Sequence, residues 1–428
     1  MALEKAELDG GLKLYVDNMP SAQTANVRVF VGAGSIHEPD GLEGISHALE
    51  HCVHLKTEHF PNRQSLRDYD KINGLYTNAS TYYTRTVYQA DGTDPEPIFF
   101  RLGEVLFRTV YDYDNIANEM KVINREARTG LDNIQGLHAV AVDFSMFGAP
   151  HGRRVIGFSD HLNFSANQLK EYYDSNYHTG NMAVVAVGNI NIDAVAKLAE
   201  RHFVFAHDLA KLAARGVGRQ LQKNHTSGLI REDSESLRII RSSAVDGQLL
   251  EQMEGIGRTK FDIASDVISA LMFEKLRNEY GISYDGGFGV SSYNDPSAWR
   301  LSAYVTTDGE NRQTALDVFS SVLGGSSKGF EDDKIQAELS TNCYYALSAM
   351  DNLDSRTDFY VNTLSAGREP RDLLGLAKEL KSLKVQDIRQ TLDNLFEHVQ
   401  SRPYVDHFTG KEGGVGDVDE IIDRSQIA

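Results

Sequence analysis

The sequence predicts an α+β chain made of two related halves. Three observations lead there. Short stretches of period-two alternation, which read as strands, are interleaved with helical stripes along the whole chain. A length of 428 residues exceeds what a single core usually fills. Each half also closes on the same pair of elements, a helix and then an apolar strand, with Leu169 and Ile388 in matching places about 220 residues apart.

In chain order, residues 11–16 and 25–31 alternate as strands until Gly32 and Gly34 break the pattern. Asp40-Gly41 marks a turn, and a helix carrying His47 and His51 follows. Residues 64–71 look helical. The stretch 76–88, rich in Thr and Tyr, reads as one extended strand. Helix returns over 97–110 with Ile98, Leu102, Val105 and Leu106 on one stripe, and again over 114–132, 166–177 and 192–203, with an apolar strand at 182–187. The first domain is expected over 1–205. Residues 206–228, with Gly216, Gly218 and Gly228, read as a linker. A related domain over 229–410 carries strands at 237–242, 283–291, 299–306 and 403–407, a helix over 261–278, and several helices across 312–397. The acidic tail 411–428 is expected to be loose. Moving the histidine helix forward by about 220 residues lands at 266–270, in a helix without histidine, so the two copies are expected to differ in chemistry.

Bulk composition excludes several classes. With 41% hydrophobic and 24% charged residues the chain is an ordinary globular protein, and no run of ~18 apolar residues is available to span a membrane. The first residues have neither a basic segment nor an apolar one, so no secretory signal is read. Cys52 and Cys343 form no C-x-x-C unit, which argues against a disulfide framework or a thiolate metal site; a cytoplasmic location is expected. A net charge of −18 speaks against nucleic acid, which rewards clustered Lys and Arg.

His47, Glu50 and His51 stand at i, i+3 and i+4 and share one helix face. Two imidazoles one turn apart can reach one tetrahedral zinc, while a carboxylate beside them can take a proton from water that the ion activates. This is the H-x-x-E-H order. The same three positions also suit a surface or core helix, so the rest of the chain has to decide. In the segment 114–132, Ile116, Glu119, Ile123, Glu126 and Gly130 fall on one stripe. Two glutamates in an apolar stripe need a partner, and a metal is one; pairing with Lys121 or Arg125 is another. The spacing narrows the third ligand only to an inward carboxylate.

With these residues together, the chain resembles the pitrilysin/insulinase family of zinc metallopeptidases, the inverzincins, in their short two-domain form. The likeness runs through Gly32-Ala33-Gly34-Ser35, Glu38, His47 to His51, Asn78-Ala79-Ser80-Thr81 with Thr86 and Tyr88, Glu119 to Glu126, Ile156-Gly157, Gly188, and Leu276 to Tyr284. The resemblance implies two structurally related domains, each a mostly antiparallel sheet packed with helices. It implies one Zn2+ per chain on His47, His51 and Glu126, with Glu50 as general base and Glu119 supporting the site without ligating. Arg277 and Tyr284 match a pair that holds the substrate backbone and the oxyanion. Asn78, Ala79 and Ser80 match an edge strand onto which a peptide adds.

Two departures stand out. His54, Leu55 and Lys56 occupy a run where an aromatic residue and a Gly are usual. His54 shares the face of His47, but a His one turn further along lies ~5 Å past the ion's centre, which argues against it as a ligand. Pro150-His151-Gly152 stands where His-Pro is commoner. The expected activity is zinc endopeptidase cleavage of peptides or unfolded polypeptides in a closed chamber built by a homodimer. A heterodimeric peptidase subunit, or a peptide-binding relative with a structural metal, is the alternative.

Overall fold

Residues 182–187 carry no polar side chain, a composition that suits a strand covered on both faces. The computed structural model describes residues 3–131, 134–148, 152, 154–157, 162–204, 226–231, 236–291, 298–410 and 418–422. Its strands are β1 (Glu4–Glu7), β2 (Lys13–Asn18), β3 (Ala25–Val31), β4 (Tyr76–Thr81), β5 (Thr86–Gly92), β6 (Met182–Gly188), β7 (Thr226–Arg231), β8 (Ser236–Ala244), β9 (Gly287–Ser291), β10 (Arg300–Asp308), β11 (Tyr404–Gly410) and β12 (Glu420–Ile422). The helices of the first half are α1 (Ile45–Cys52), α2 (Arg63–Ile72), α3 (Pro95–Phe107), α4 (Tyr113–Leu131), α5 (Ile134–Phe147), α6 (Ala166–Asn176) and α7 (Ile192–His202). Those of the second are α8 (Gly247–Gln252), α9 (Ile256–Phe273), α10 (Arg312–Leu323), α11 (Asp332–Ala349), α12 (Leu353–Ser365), α13 (Leu373–Ser382) and α14 (Val385–Ser401). The chain divides into two units, Met1–Asp132 with Arg154–Arg215 and Ser348–Gly375, and Asn133–Arg153 with Gly216–Leu347 and Leu376–Ala428.

In the first unit the sheet runs β1-β2-β6-β3-β5-β4, with only the β2–β6 pair parallel. Alternation decides what each face meets. Leu14, Val16, Val27, Val29, Val31, Val184 and Ala186 join the core with Ala48, Leu49, Leu102 and Leu169 of α1, α3 and α6. The opposite face carries Asp17 and Arg28, both buried, and α12 from late in the chain covers it. Arg356 and Tyr360 pair with Asp17, and Asp354 Oδ1 accepts from Arg28 Nη2 at 2.7 Å. Charges on a strand are tolerable there because α12 supplies their partners.

The second unit repeats this plan. Its sheet runs β12-β7-β11-β8-β10-β9, parallel at β7–β11 and at β12–β7 and antiparallel elsewhere. From β2 to β4 in one sheet and β7 to β9 in the other, five strands share order and direction, as expected of a duplicated unit. α9, α10 and α14 bury Ile239, Leu301, Val305 and Phe408 on one face. On the other, Val142, Met146 and Phe147 of α5 pack on Ile240 and Val405, Asp143 pairs with Arg300 at 2.7 Å, and Ser145 Oγ lies 2.8 Å from His407 Nε2.

The α+β class with two related, mostly antiparallel sheets is what the sequence predicts. One element is corrected: 76–88 is not a single strand but the hairpin β4–β5, because Tyr82 N donates to Arg85 O across a turn and Thr81 pairs with Thr86. The helix expected over 261–278 is α9 continued by a π-helical turn, Glu274–Glu279. Most of the linker, residues 206–225, lies outside the described residues, and Thr226 begins β7. Of the tail, Glu420–Ile422 pairs with β7, while 411–417 and 423–428, like Pro150 and His151, lie outside the described residues. Among the described residues, no helix is long and apolar enough to cross a membrane.

Candidate metal centre

α1 begins at Gly44, whose φ of 91° is the left-handed region; a Cβ there would come 2.7 Å from Ile156 O. No side chain of Gly44 can cap the helix, and buried Glu38 does so instead, accepting from Gly44 N at 2.9 Å and Ser46 N at 3.0 Å. Ser46 Oγ also lies 2.8 Å from Tyr172 OH on α6. With Ile45, Ala48, Leu49 and Cys52 in the core, His47, Glu50 and His51 are left on the facing side. Burial pushes the Cys52 thiol up to about 12, and the side chain is a small hydrophobe of that core.

α4 buries Ile116, Met120 and Ile123, which turns Glu119 and Glu126 toward α1. Glu126 lies 3.8 Å from His47 Nε2 and 3.4 Å from His51 Nε2. One donor atom each from His47, His51 and Glu126 falls within 4.8 Å of the others. Ligands on a tetrahedral zinc with bonds of ~2.0–2.1 Å stand roughly 3.4 Å apart, so the set fits the ion.

Electrostatics agree with that fit. Burial first, then the neighbouring His51 and Arg154, hold His47 down at about 3, and its Nδ1 is buried without a hydrogen-bond partner among the described residues. The ring is therefore neutral, with a lone pair to offer. Burial works to lower the His51 pKa, but the hydrogen bond to Glu119 and the fields of Glu50, Glu119 and Glu126 outweigh it and raise it. A field that favours a proton there favours a divalent cation too. His51 Nδ1 lies 2.8 Å from Glu119 Oε1, leaving Nε2 to face Glu126. This carboxylate–imidazole pairing fixes the ring tautomer of a metal ligand.

Glu50 stands outside the donor set. Burial raises its pKa, partly offset by Thr81 Oγ1, which donates to Oε2 at 2.8 Å. A carboxylate raised in this way beside a metal is suited to accept and return a proton. Thr81 belongs to the stretch that carries the resemblance but was given no role from sequence, and Arg63 of α2, which reaches Glu119 Oε1 at 2.9 Å and His51 O at 3.2 Å, was not singled out. Neither carries a local signal, since both contacts are made by tertiary packing.

The remaining expected site residues are placed as follows. Asn78, Ala79 and Ser80 lie on β4, the end strand of its sheet. His54 is half-buried, and its loss of hydration holds it far below its usual pKa, with Arg101 Nη2 3.4 Å from Nδ1; it is not in the donor set. Arg277 and Tyr284 belong to the second unit, where the guanidinium lies 5.5 Å from the Tyr284 ring centre and Tyr284 is 88% exposed.

The family description insulinase (peptidase family M16) matches residues 13–136, and peptidase M16 inactive domain matches residues 163–341. A protein of Rickettsia felis named uncharacterized zinc protease is 26% identical over 312 residues, 71% of this chain and 73% of that protein. The mitochondrial-processing peptidase subunit beta of Lentinula edodes is 31% identical over 206 residues, 47% of this chain and 44% of its own length. Among solved structures, the periplasmic protease PqqL of Escherichia coli aligns with a TM-score of 0.77 at 18% identity, over 95% of this chain and 47% of that one, which shows the shared fold.

Proposed function

The chain belongs to peptidase family M16, and from that premise we propose that it is a zinc-dependent endopeptidase acting on peptides or unfolded polypeptides in a closed chamber. The observation that carries this reading is an unligated, buried Glu50 beside the donor set of His47, His51 and Glu126. A structural metal has no use for such a carboxylate.

Zinc on those three residues supplies Lewis-acid polarisation of the scissile carbonyl and of water. Glu50 takes the proton of the attacking water and passes it to the leaving amine. Thr81 holds Glu50, and Glu119 with Arg63 holds the His51 ring. A substrate strand adds along β4 at Asn78, Ala79 and Ser80 through main-chain hydrogen bonds. Arg277 and Tyr284 are assigned to the substrate backbone and to the charge that develops on the carbonyl oxygen; that assignment rests on the family resemblance.

The proposed assembly is a homodimer. A heterodimer is the second reading, favoured by the relative that is named as a subunit. Purified protein that cleaves peptides as a dimer of one chain supports the first, and activity only with a second polypeptide supports the other. A cytoplasmic site of action is part of the proposal, in keeping with two free cysteines, and cell fractionation tests it. The main test is metal analysis with peptide cleavage before and after chelation. About one zinc per chain, with cleavage lost on chelation and restored by zinc, is expected. Full cleavage by metal-stripped protein overturns the reading.

A further inference from the structure

Beside the donor set lies a cavity of about 330 Å³, walled by α1, α2, α3, α4 and β4. Its walls are less acidic than the chain as a whole, with three carboxylates, Glu50, Asp70 and Glu119, against three guanidiniums. In a protein of net charge −18 it gathers three guanidiniums, Arg63, Arg67 and Arg101. Two are already balanced: Arg63 pairs with Glu119 at 2.9 Å, and Arg101 Nε donates to Asp70 Oδ1 at 2.8 Å. The other oxygen of Asp70 is taken by Thr77 Oγ1 at 2.9 Å. Arg67 is exposed and has no acidic partner among the described residues. Glu50, the third carboxylate of the lining, accepts from Thr81 beside the donor set, so the formal charges of the walls cancel and Arg67 is the one guanidinium of the cavity without an acidic partner among the described residues.

β4 connects this cavity to the reaction. Successive side chains of a strand alternate between faces. Thr77 reaches Asp70 in the cavity wall, Ala79 lines the same cavity, and Thr81 holds Glu50, so the three share the face toward α1 and α2. A peptide strand laid beside β4 turns every second side chain to that face as well. Two residues of strand advance ~7 Å, so the side chain that enters the cavity belongs to a residue within about two positions of the scissile bond.

We infer that this cavity receives one substrate side chain and selects an acidic one, with Arg67 as the residue that determines the specificity. The inference rests on the peptidase reading above. Aspartate or glutamate meets the unpaired guanidinium of Arg67 and makes charge-assisted hydrogen bonds to it. Lysine or arginine meets the like charge of Arg67, and Asp70 on the same helix has both oxygens engaged. A large apolar side chain covers guanidiniums without replacing their water.

The test uses the full chain stripped of metal by a chelator, so that binding is read without turnover and every carboxylate of the cavity, Glu50 included, is kept. A set of neutral ten-residue peptides, each with Glu, Leu or Lys at one position in turn, is titrated by fluorescence anisotropy. The account expects one position at which Glu binds about tenfold tighter than Lys, and Arg67→Glu, likewise stripped of metal, reverses the order at that position alone. Restriction to one position separates the cavity from the general repulsion of acidic peptides by the chain. Arg67 is exposed, and an unchanged melting temperature for Arg67→Glu shows that the fold is retained. A Lys or Leu preference at every position, or a Glu preference untouched by Arg67→Glu, overturns the inference. If the parent still cleaves such peptides in a chelator-sensitive way, the peptidase reading survives that outcome. If no peptide is bound or cleaved, both fall.

Discussion

Replacing Glu119 by Gln keeps the shape of the side chain and removes its charge. Glu119 is 4% exposed, and one oxygen takes both His51 Nδ1 at 2.8 Å and Arg63 Nη2 at 2.9 Å. Burial works to raise its pKa, but the bonds and fields of His51 and Arg63 hold it below the usual carboxylate range, so the group is ionised at neutral pH. A hydrogen bond to a charged group of this kind contributes about 1.5–3 kcal/mol. In Glu119→Gln the amide oxygen still accepts one of the two donors, but the negative charge behind the imidazole is gone. The expected loss is about 10- to 100-fold in zinc affinity, with little loss of stability because Arg63 is part-exposed and turns to water. Competition with a chromophoric chelator at pH 7.5 and fixed salt measures it. An affinity within twofold of the parent would show that Glu119 does not hold the ring. A larger fall in Glu119→Gln than in Glu126→Gln would instead make Glu119 the ligand and Glu126 the support.

Other outcomes follow from the same structure. Burial raises Glu38 to about 7, well above 4.5, despite the amide hydrogens of Gly44 and Ser46 that favour its ionised form. Between those values the folded state binds more protons than the unfolded one, so stability is full below pH ~4.5 and falls as pH rises toward 7, by about 3 kcal/mol in all. Denaturant titrations at pH 5 and pH 8 should show the parent losing about that much more than Glu38→Gln; equal losses contradict the assignment. In the second unit, Asp143→Asn strands the guanidinium of Arg300, whose side chain is 7% exposed, and should cost about 3–5 kcal/mol, a fall in Tm of ~10 °C or more by calorimetry. The exposed Lys334–Glu274 pair is the control: Lys334→Ala should move Tm by no more than a degree or two, about what a surface pair contributes.

What the sequence disclosed, and what it withheld, follows from how local each signal is. His47, Glu50 and His51 lie within one and a half turns of helix, and a short-range spacing places them on one face whatever the rest of the chain does. Glu119 and Glu126 were legible as carboxylates in an apolar stripe, because helix α4 has a face to bury and they lie on it. Choosing Glu126 as the ligand rested on the resemblance alone, since the ring orientation of His51, with Nδ1 toward Glu119 and Nε2 toward Glu126, is contained in no spacing. The roles of Thr81 and Arg63 were invisible for a related reason: each touches the site through the packing of another element, and Thr and Arg are ordinary residues in a strand and a helix. The division of the hairpin at 82–85 escaped notice because Tyr82, Tyr83 and Thr84 have strand propensity and no Gly or Pro marks the turn.

At the level of the fold, alternation and apolar runs found the inner strands except β7, whose first residues were read as linker, while β1 and β12 are short edge strands with little alternation to detect. That α12 serves the first sheet and α5 the second is a long-range fact. Its trace was present in the sequence, though only as a demand. Asp17 and Arg28 are charges buried in strands of the sheet, and their partners Asp354, Arg356 and Tyr360 come more than 300 residues later. The cavity next to His51 was likewise unreadable, since Arg63, Arg67 and Arg101 are scattered over two helices and converge only on folding.

The central claim is that Glu50 moves protons beside a metal that His47, His51 and Glu126 hold, and one variant addresses it directly. Glu50→Gln, with its zinc content and its peptide cleavage measured on the same preparation, should hold about one zinc per chain as the parent does and cleave at least ~100-fold more slowly. Cleavage at the parent's rate contradicts the claim, and loss of the zinc along with cleavage would make Glu50 a ligand instead of a base.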